Sequence, residues 1–218
     1  MPFESSAEQP EEIQDPRAMR ALAHPVRVAL LDHLLHAGPA TATQCAAVVG
    51  ESPSACSYHL RTLAKYGFVE EAPDGHGRER PWRARHRRLR FSSGPEQPLE
   101  QQAAASLLRE RYLERDEQIL RQYLVNEHAE PPEWQAQATL SRSTMYLTAD
   151  EAQELTDQLL ALIRSYERAD PAERPTGARP VHVVLRTIPR QEAAADAGTA
   201  ADNRGQDPDT SRRQEKAR

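Results

Sequence analysis

Between Asp15 and Gly67 the chain carries four helix patterns, each opened or closed by its own signal, and this spacing constrains the fold more than any other feature. Asp15 precedes Pro16, an acceptor side chain ahead of a proline whose missing N–H costs a first helical turn nothing. His24-Pro25 repeats the device. Val26, Ala29, Leu30, His33, Leu34 and Ala37 then recur at helical spacing until Gly38-Pro39 stops them. Thr41 with Gln44 forms a capping box, which opens a short helix that ends at Gly50. Ser52-Pro53 caps the next helix, which runs to about Tyr66 and ends at Gly67. Four helices in so short a span, the last two joined by a short turn around Gly50, predict a helix-turn-helix.

After Gly67 the period changes from helical to alternating. The segment from Phe68 to Ala72 and the segment from Arg80 to Phe91 read as two strands around Pro73-Asp74-Gly75-His76-Gly77. Trp82 and Ala84 share one face, and Arg83, Arg85 and Arg87 share the other. The phase slips near Arg87-Arg88, which marks either a bulge or the strand's end. A basic hairpin behind a helix-turn-helix makes a winged domain over residues 15–93.

The helix from Ser54 to Tyr66 divides cleanly when residues are placed 100° apart. Ser54, Ser57, Tyr58, Arg61 and Lys65 gather on one side, and Cys56, Leu60, Leu63 and Ala64 on the other. Hydroxyls and arginine bond base edges or phosphates without steric bulk, as a helix in a major groove requires. Ser52, Ser54 and the free N–H groups of the first turn suit a phosphate. Tyr58 is suited either to stacking or to a phosphate. His59 falls between the two faces, where packing or capping is favoured over a base contact. In the hairpin, Arg78, Arg80, Arg83, Arg85, Arg87, Arg88 and Arg90 stand against Glu79 as the only acid between Arg78 and Arg90. Gly75 and Gly77 allow the tip to approach a sugar-phosphate backbone or minor groove closely.

Charge distribution agrees with that reading although the net charge does not. The chain of 218 residues carries a formal charge of -5. From Asp15 to Ser93, however, 12 Lys and Arg face 7 Asp and Glu, whereas from Gly94 to Arg174 the balance is 8 against 16. A basic segment on an acidic chain is the footprint of a polyanion binder. Two cysteines, Cys45 and Cys56, are too few for a disulfide framework and imply a reducing compartment. No apolar run approaches the roughly 20 residues that span a bilayer, and the acidic first residues do not read as a signal peptide. A cytoplasmic protein with no membrane partner is therefore expected.

Residues 1–14 are polar and acidic, and disorder is expected there. A linker leads to a helix from Leu99 to about His128, roughly 42–45 Å long at 1.5 Å per residue. A small domain does not cover such a helix, so residues 94–130 are assigned to linking and dimerisation. Residues 131–190 read as a small α+β unit of β-α-β pattern. Its strands are expected at Thr139 to Leu147 and Val181 to Ile188, and its helix is opened by a Thr148–Glu151 capping box. Such a unit binds a small-molecule effector, completes a dimer or caps the long helix, and the sequence identifies no effector. Residues 191–218 lack periodicity and are read as a disordered tail. The fold class is mainly α with small β.

The segment "SPSACSYHLRTLAKYGFVEE", with "ALAHPVRVALLDHLL" upstream, resembles ArsR-type winged helix-turn-helix transcription regulators. Ser57, His59, Leu60, Leu63, Gly67 and Val69 match the family's recognition-helix pattern, with Phe68 in place of leucine. The run from Leu22 to Leu31 matches the opening of its second helix. The resemblance covers about Asp15 to Phe91. It implies a homodimer on double-stranded DNA, reading the groove through Ser54, Ser57, Tyr58 and Arg61, with a wing around Gly75 to Arg83. The family's metal-sensing Cys-x-Cys pair is absent: the corresponding helix holds Cys45 alone, and one thiolate makes no zinc site. No metal and no other cofactor is expected. Nucleophile-elbow, P-loop, zinc-protease and dinucleotide motifs are also absent. Ser57 and His59 point about 200° apart on their helix and form no nucleophile–base pair. The sequence thus predicts a non-enzymatic, homodimeric DNA-binding regulator, a repressor by analogy. A protein–protein or RNA assembly module is the alternative.

Overall fold

The computed structural model describes residues 10–73, 80–91, 94–168 and 173–190. Helices α1 (Pro16–Leu22), α2 (Pro25–Ala37), α3 (Ala42–Val49) and α4 (Pro53–Lys65) follow one another as the capping signals require. Asp15 Oδ1 accepts from Arg17 N at 2.8 Å, and His24 Nδ1 accepts from Val26 N at 3.2 Å. The Thr41–Gln44 box is closed in both directions, and Ser52 Oγ accepts from Ala55 N. Gly50 ends α3 at φ +73°, a left-handed conformation open to glycine at no steric cost, so the chain turns at once into α4.

The core joins Met19 and Leu22 of α1, Leu30 and Leu34 of α2, Cys45 of α3, and Cys56, Leu60 and Leu63 of α4. Helix α2 packs against α1, α3, α4, α5 and the wing. Its buried residues are accordingly Val28, Leu30, Leu31 and Leu34. The simple stripe read from sequence, through Ala29 and His33, is thus too narrow for a helix surrounded by neighbours.

Strand β2 (Val69–Glu71) pairs antiparallel with β3 (Trp82–Ala84), with Glu70 opposite Arg83 and Glu71 opposite Trp82. Trp82 also exchanges two backbone hydrogen bonds with Ala40, at 2.8 and 2.9 Å, which moors the wing to the turn before α3. The phase slip in the sequence is a strand end. The chain leaves β3 and re-forms as β4 (Leu89–Phe91), which pairs with a different partner. That partner, β1 (Glu11–Ile13), runs parallel to β4, and Ile13 is buried. Residues 11–13 therefore correct the expectation of a disordered start: one buried isoleucine and a strand edge suffice to order them. The helices and wing together are a winged helix-turn-helix.

Helix α5 (Leu99–Asn126) divides into two parts. Ala104, Ala105 and Leu108 are buried, so its first turns belong to the core, largely against α1. Arg20–Glu100 and Arg115–Asp32 ion pairs, both at 2.8 Å, fasten it at two heights. Beyond that point Leu120, Leu124 and Val125 are exposed.

Past a 3-10 turn at Glu127–Ala129 and a short α6 (Pro132–Gln135) comes α7 (Ala149–Ser165), opened by the expected Thr148–Glu151 capping box. The β-α-β expectation fails on its strands. Residues 139–147 and 181–188 have no regular secondary structure and form no ladder with any described residue. Alternating or β-branched side chains favour a strand only where a partner edge exists. Leu140, Met145, Tyr146, Val181 and Val183 are each more than half exposed. Arg179 and His182 tie this segment to Glu130 and Asp116, at 2.8 and 3.1 Å. A second unit, Leu185–Arg218, is described only as far as residue 190, and the expected tail at 191–218 lies outside the described residues.

Candidate nucleic-acid interface

Helix α4 shows the two faces its sequence requires. Cys56, Leu60 and Leu63 have no exposed surface, whereas Ser54, Tyr58, Arg61 and Lys65 are exposed and Ser57 is half-buried. Burial raises both thiols, Cys45 to about 11, so near neutral pH the two cysteines are packed as small apolar groups rather than as thiolates.

Ser54, Ser57 and Arg61 line a solvent-open hollow together with Arg80 and Trp82 of the wing. Trp82 is half-buried against the core. It sets the distance between wing and helix, so the hydroxyls of α4 and the guanidinium of Arg80 face the same space. Besides Ala42 and Pro53, two polar residues line it that sequence reasoning did not select: Thr43 in the first turn of α3, and Glu71 on β2. No local signal in the sequence marked Thr43, which reaches the hollow only because α3 packs against α4.

The remaining expected contact residues divide. Ser52 Oγ is engaged in the cap and lies 3.0 Å from Ser54 Oγ. Tyr58 stands 64% exposed, and its ring meets His59 edge-on at 5.4 Å. Lys65 Nζ sits over the Tyr66 ring at 5.7 Å. Arg61 makes no hydrogen bond or ion pair among the described residues. Arg80 and Arg83 are committed instead: Arg80 Nη1 is 2.8 Å from Glu71 Oε2, and Arg83 Nη2 is 2.6 Å from Glu70 Oε1. Arg87 donates to the Arg168 carbonyl at 3.3 Å and Arg88 pairs with Glu167, so part of the basic run serves the segment just after α7. Gly75 and Arg78 lie outside the described residues.

His59, left open by the sequence, is a packing residue. Its ring lies 4.7 Å from that of His24, and Arg27 Nη1 is 3.5 Å from its Nδ1. Burial and then the Arg27 charge hold both imidazoles below their ordinary pKa. Among the described residues no three His, Cys, Asp or Glu side chains are placed to hold a metal ion. No described helix is long and apolar enough to cross a membrane.

Residues 22–72, from the end of α1 through β2, match the model of a family described as a helix-turn-helix domain. No curated protein matches the chain. Among solved structures, the chain is similar to the homodimeric winged helix-turn-helix DNA-binding domain (fragment 1-100) of Mb0332 from Mycobacterium bovis, described as a possible ArsR-family transcriptional regulator. The two are 20% identical with a TM-score of 0.29, over 53% of this chain and 84% of that one.

Proposed function

We propose that this chain, which carries a helix-turn-helix domain over residues 22–72, is a DNA-binding transcription regulator acting as a homodimer. The carrying observation is the convergence of Ser54, Ser57, Arg61 and Arg80 on one hollow between α4 and the wing. Small hydroxyls and a guanidinium with no described partner suit base edges, while a wing arginine beside them suits a phosphate. Helix α4 lies in the major groove. Ser54, Ser57, Tyr58 and Arg61 meet bases, Lys65 and Ser52 meet the backbone, and the wing with Gly75, Arg78, Arg80 and Arg83 grips the adjacent backbone or minor groove.

The homodimer rests on what the single chain leaves uncovered. No described residue after Leu108 is buried, yet Leu120, Leu124, Val125, Leu140 and Val181 are all large, apolar and exposed. Pairing across a two-fold axis would cover this surface and place two α4 helices about one turn of duplex apart, roughly 34–36 Å. Repression is the expected outcome, on the resemblance of the α2–α4 segment to ArsR-type regulators.

The test is binding of the full-length protein to fragments from its own genome against random duplex, across a salt series. Sequence preference with a steep salt dependence is expected. Equal affinity for every duplex, or tighter binding to RNA or to a protein partner, would replace operator binding with an assembly role.

A further inference from the structure

Two wing arginines, Arg80 and Arg83, are both held by carboxylates on the neighbouring strand, and Arg80 faces α4 across the hollow. Register explains the arrangement. Glu70 sits opposite Arg83 in the β2–β3 ladder, and Arg83 directs both Nε and Nη2 to one oxygen of Glu70, at 2.8 and 2.6 Å. One residue further along β2, Glu71 takes Arg80 Nη1 at 2.8 Å and lines the same hollow as Ser54, Ser57 and Arg61. Both carboxylates are more than a third exposed, so neither is needed to neutralise a buried charge. In a surface built to meet a polyanion, two acids beside the cations oppose binding unless they do something else.

We propose that Glu70 and Glu71 temper the wing's grip on duplex DNA, holding Arg83 and Arg80 in ion pairs that open only as the guanidiniums transfer to phosphates. Rupture of the pairs and repulsion between the freed carboxylates and the backbone then penalise indiscriminate duplex capture. Only a site that also satisfies α4 overcomes the penalty. This rests on the DNA-binding role proposed above. Opening one exposed pair is worth roughly 1.5- to 5-fold in an equilibrium constant, and the effect is largest at low salt, where screening is weakest.

The experiment measures binding of the full-length protein to a random-sequence duplex by fluorescence anisotropy at low and high salt. Glu70→Gln with Glu71→Gln, which removes both charges and keeps the side-chain length, is expected to tighten binding about 2- to 25-fold at low salt, as two such pairs allow. The gain shrinks at high salt. Glu70→Asp, which keeps the charge and shortens the reach, gives a partial gain. In an Arg83→Gln background the effect of Glu70→Gln shrinks, because only the repulsion between carboxylate and backbone is left to relieve. Unchanged or weaker binding of the double variant overturns the proposal, and so does an equal effect of Glu70→Gln with and without Arg83, which would reduce Glu70 to a simple repelling charge. If the unaltered protein binds no duplex at any salt, the DNA-binding role itself fails.

Discussion

The imidazole of His59 on α4 lies against that of His24 at the start of α2, ring centroids 4.7 Å apart, and Arg27 stands beside both. The contact joins the helix assigned to the major groove to the N-cap of the central helix. His24 Nδ1 accepts the α2 cap hydrogen bond from Val26 N, so it serves this role only while that nitrogen is unprotonated.

A pH dependence of stability follows. Burial, then Arg27, lowers the folded-state pKa of both His24 and His59 below 6.5. The unfolded chain then binds more protons than the folded one as pH falls through about 6.5, so these two histidines make the fold less stable on acidification. His36 works in the opposite sense: its hydrogen bond with Asp32 raises its pKa, and its contribution is present below about 6.5 and lost as pH rises through the higher folded value. Urea midpoints at pH 5.5 and 7.5 separate the two. His59→Gln is expected to lose less stability on acidification than the unaltered protein. His36→Gln should be destabilised more at the lower pH, and a larger loss at pH 7.5 would contradict this assignment.

The Arg115–Asp32 pair fixes α5 to α2 through two donors on one oxygen, at 3.2 and 2.8 Å. Burial alone would raise the Asp32 pKa, but hydrogen bonds from His36 and Arg115 outweigh it and the net shift is downward. Arg115→Ala is expected to cost about 1–3 kcal/mol, the range for a charged hydrogen bond whose partner is left part-buried. The contribution of Asp32 is present above its unfolded pKa, near 3.8, and is lost as pH falls through the lower folded value. Chemical denaturation at pH 7 and pH 3 reads both effects.

Arg61 and Arg80 line the same hollow but differ in what holds them, because only Arg80 has an ion-pair partner among the described residues. Arg61→Ala should relax sequence preference, with about 1–3 kcal/mol of discrimination lost if the contact is bidentate to guanine. Arg80→Ala should weaken every duplex to a similar degree and flatten the salt slope by about one unit. Identical behaviour of the two in competition binding would end this division between base and backbone.

Much of the winged domain was legible because its signals are local. Thr41, Gln44, Gly50 and Ser52 act within a few residues, and the faces of α4 follow from 100° per residue alone. What escaped depended on distant partners. Ile13 is ordered by Leu89–Phe91, nearly eighty residues away along the chain. Glu71 read as one residue of a strand until the fold turned it toward Arg80 and the α4 hydroxyls. The segments 139–147 and 181–188 carry strand composition without a strand, because the pairing edge they need is absent from the described chain.

The long helix offers the clearest separation of roles within one element. Leu108 has no exposed surface and packs with Ala104 and Ala105 into the winged domain, whereas Leu120 and Leu124 are 37% and 44% exposed further along the same helix. Removing everything from Gly94 onward would therefore confuse two effects, since it takes core residues along with any interface. Leu108→Ala is expected to cost about 2–5 kcal/mol, the range for emptying a buried leucine site, and to leave the association state unchanged at pH 7. Leu120→Asp with Leu124→Asp should do the reverse. The charges would remain solvated in a monomer, so its melting temperature should fall only by the stabilisation that association supplied, but two like-charged pairs across a two-fold interface would not be tolerated. Sedimentation velocity should then show a monomer whose α4 and wing are intact, with duplex affinity reduced because two half-sites are no longer linked. If the double variant sediments as the unaltered protein does, the exposed end of α5 lies outside any interface, and dimerisation must rest on Leu140 to Leu147 or α7 instead.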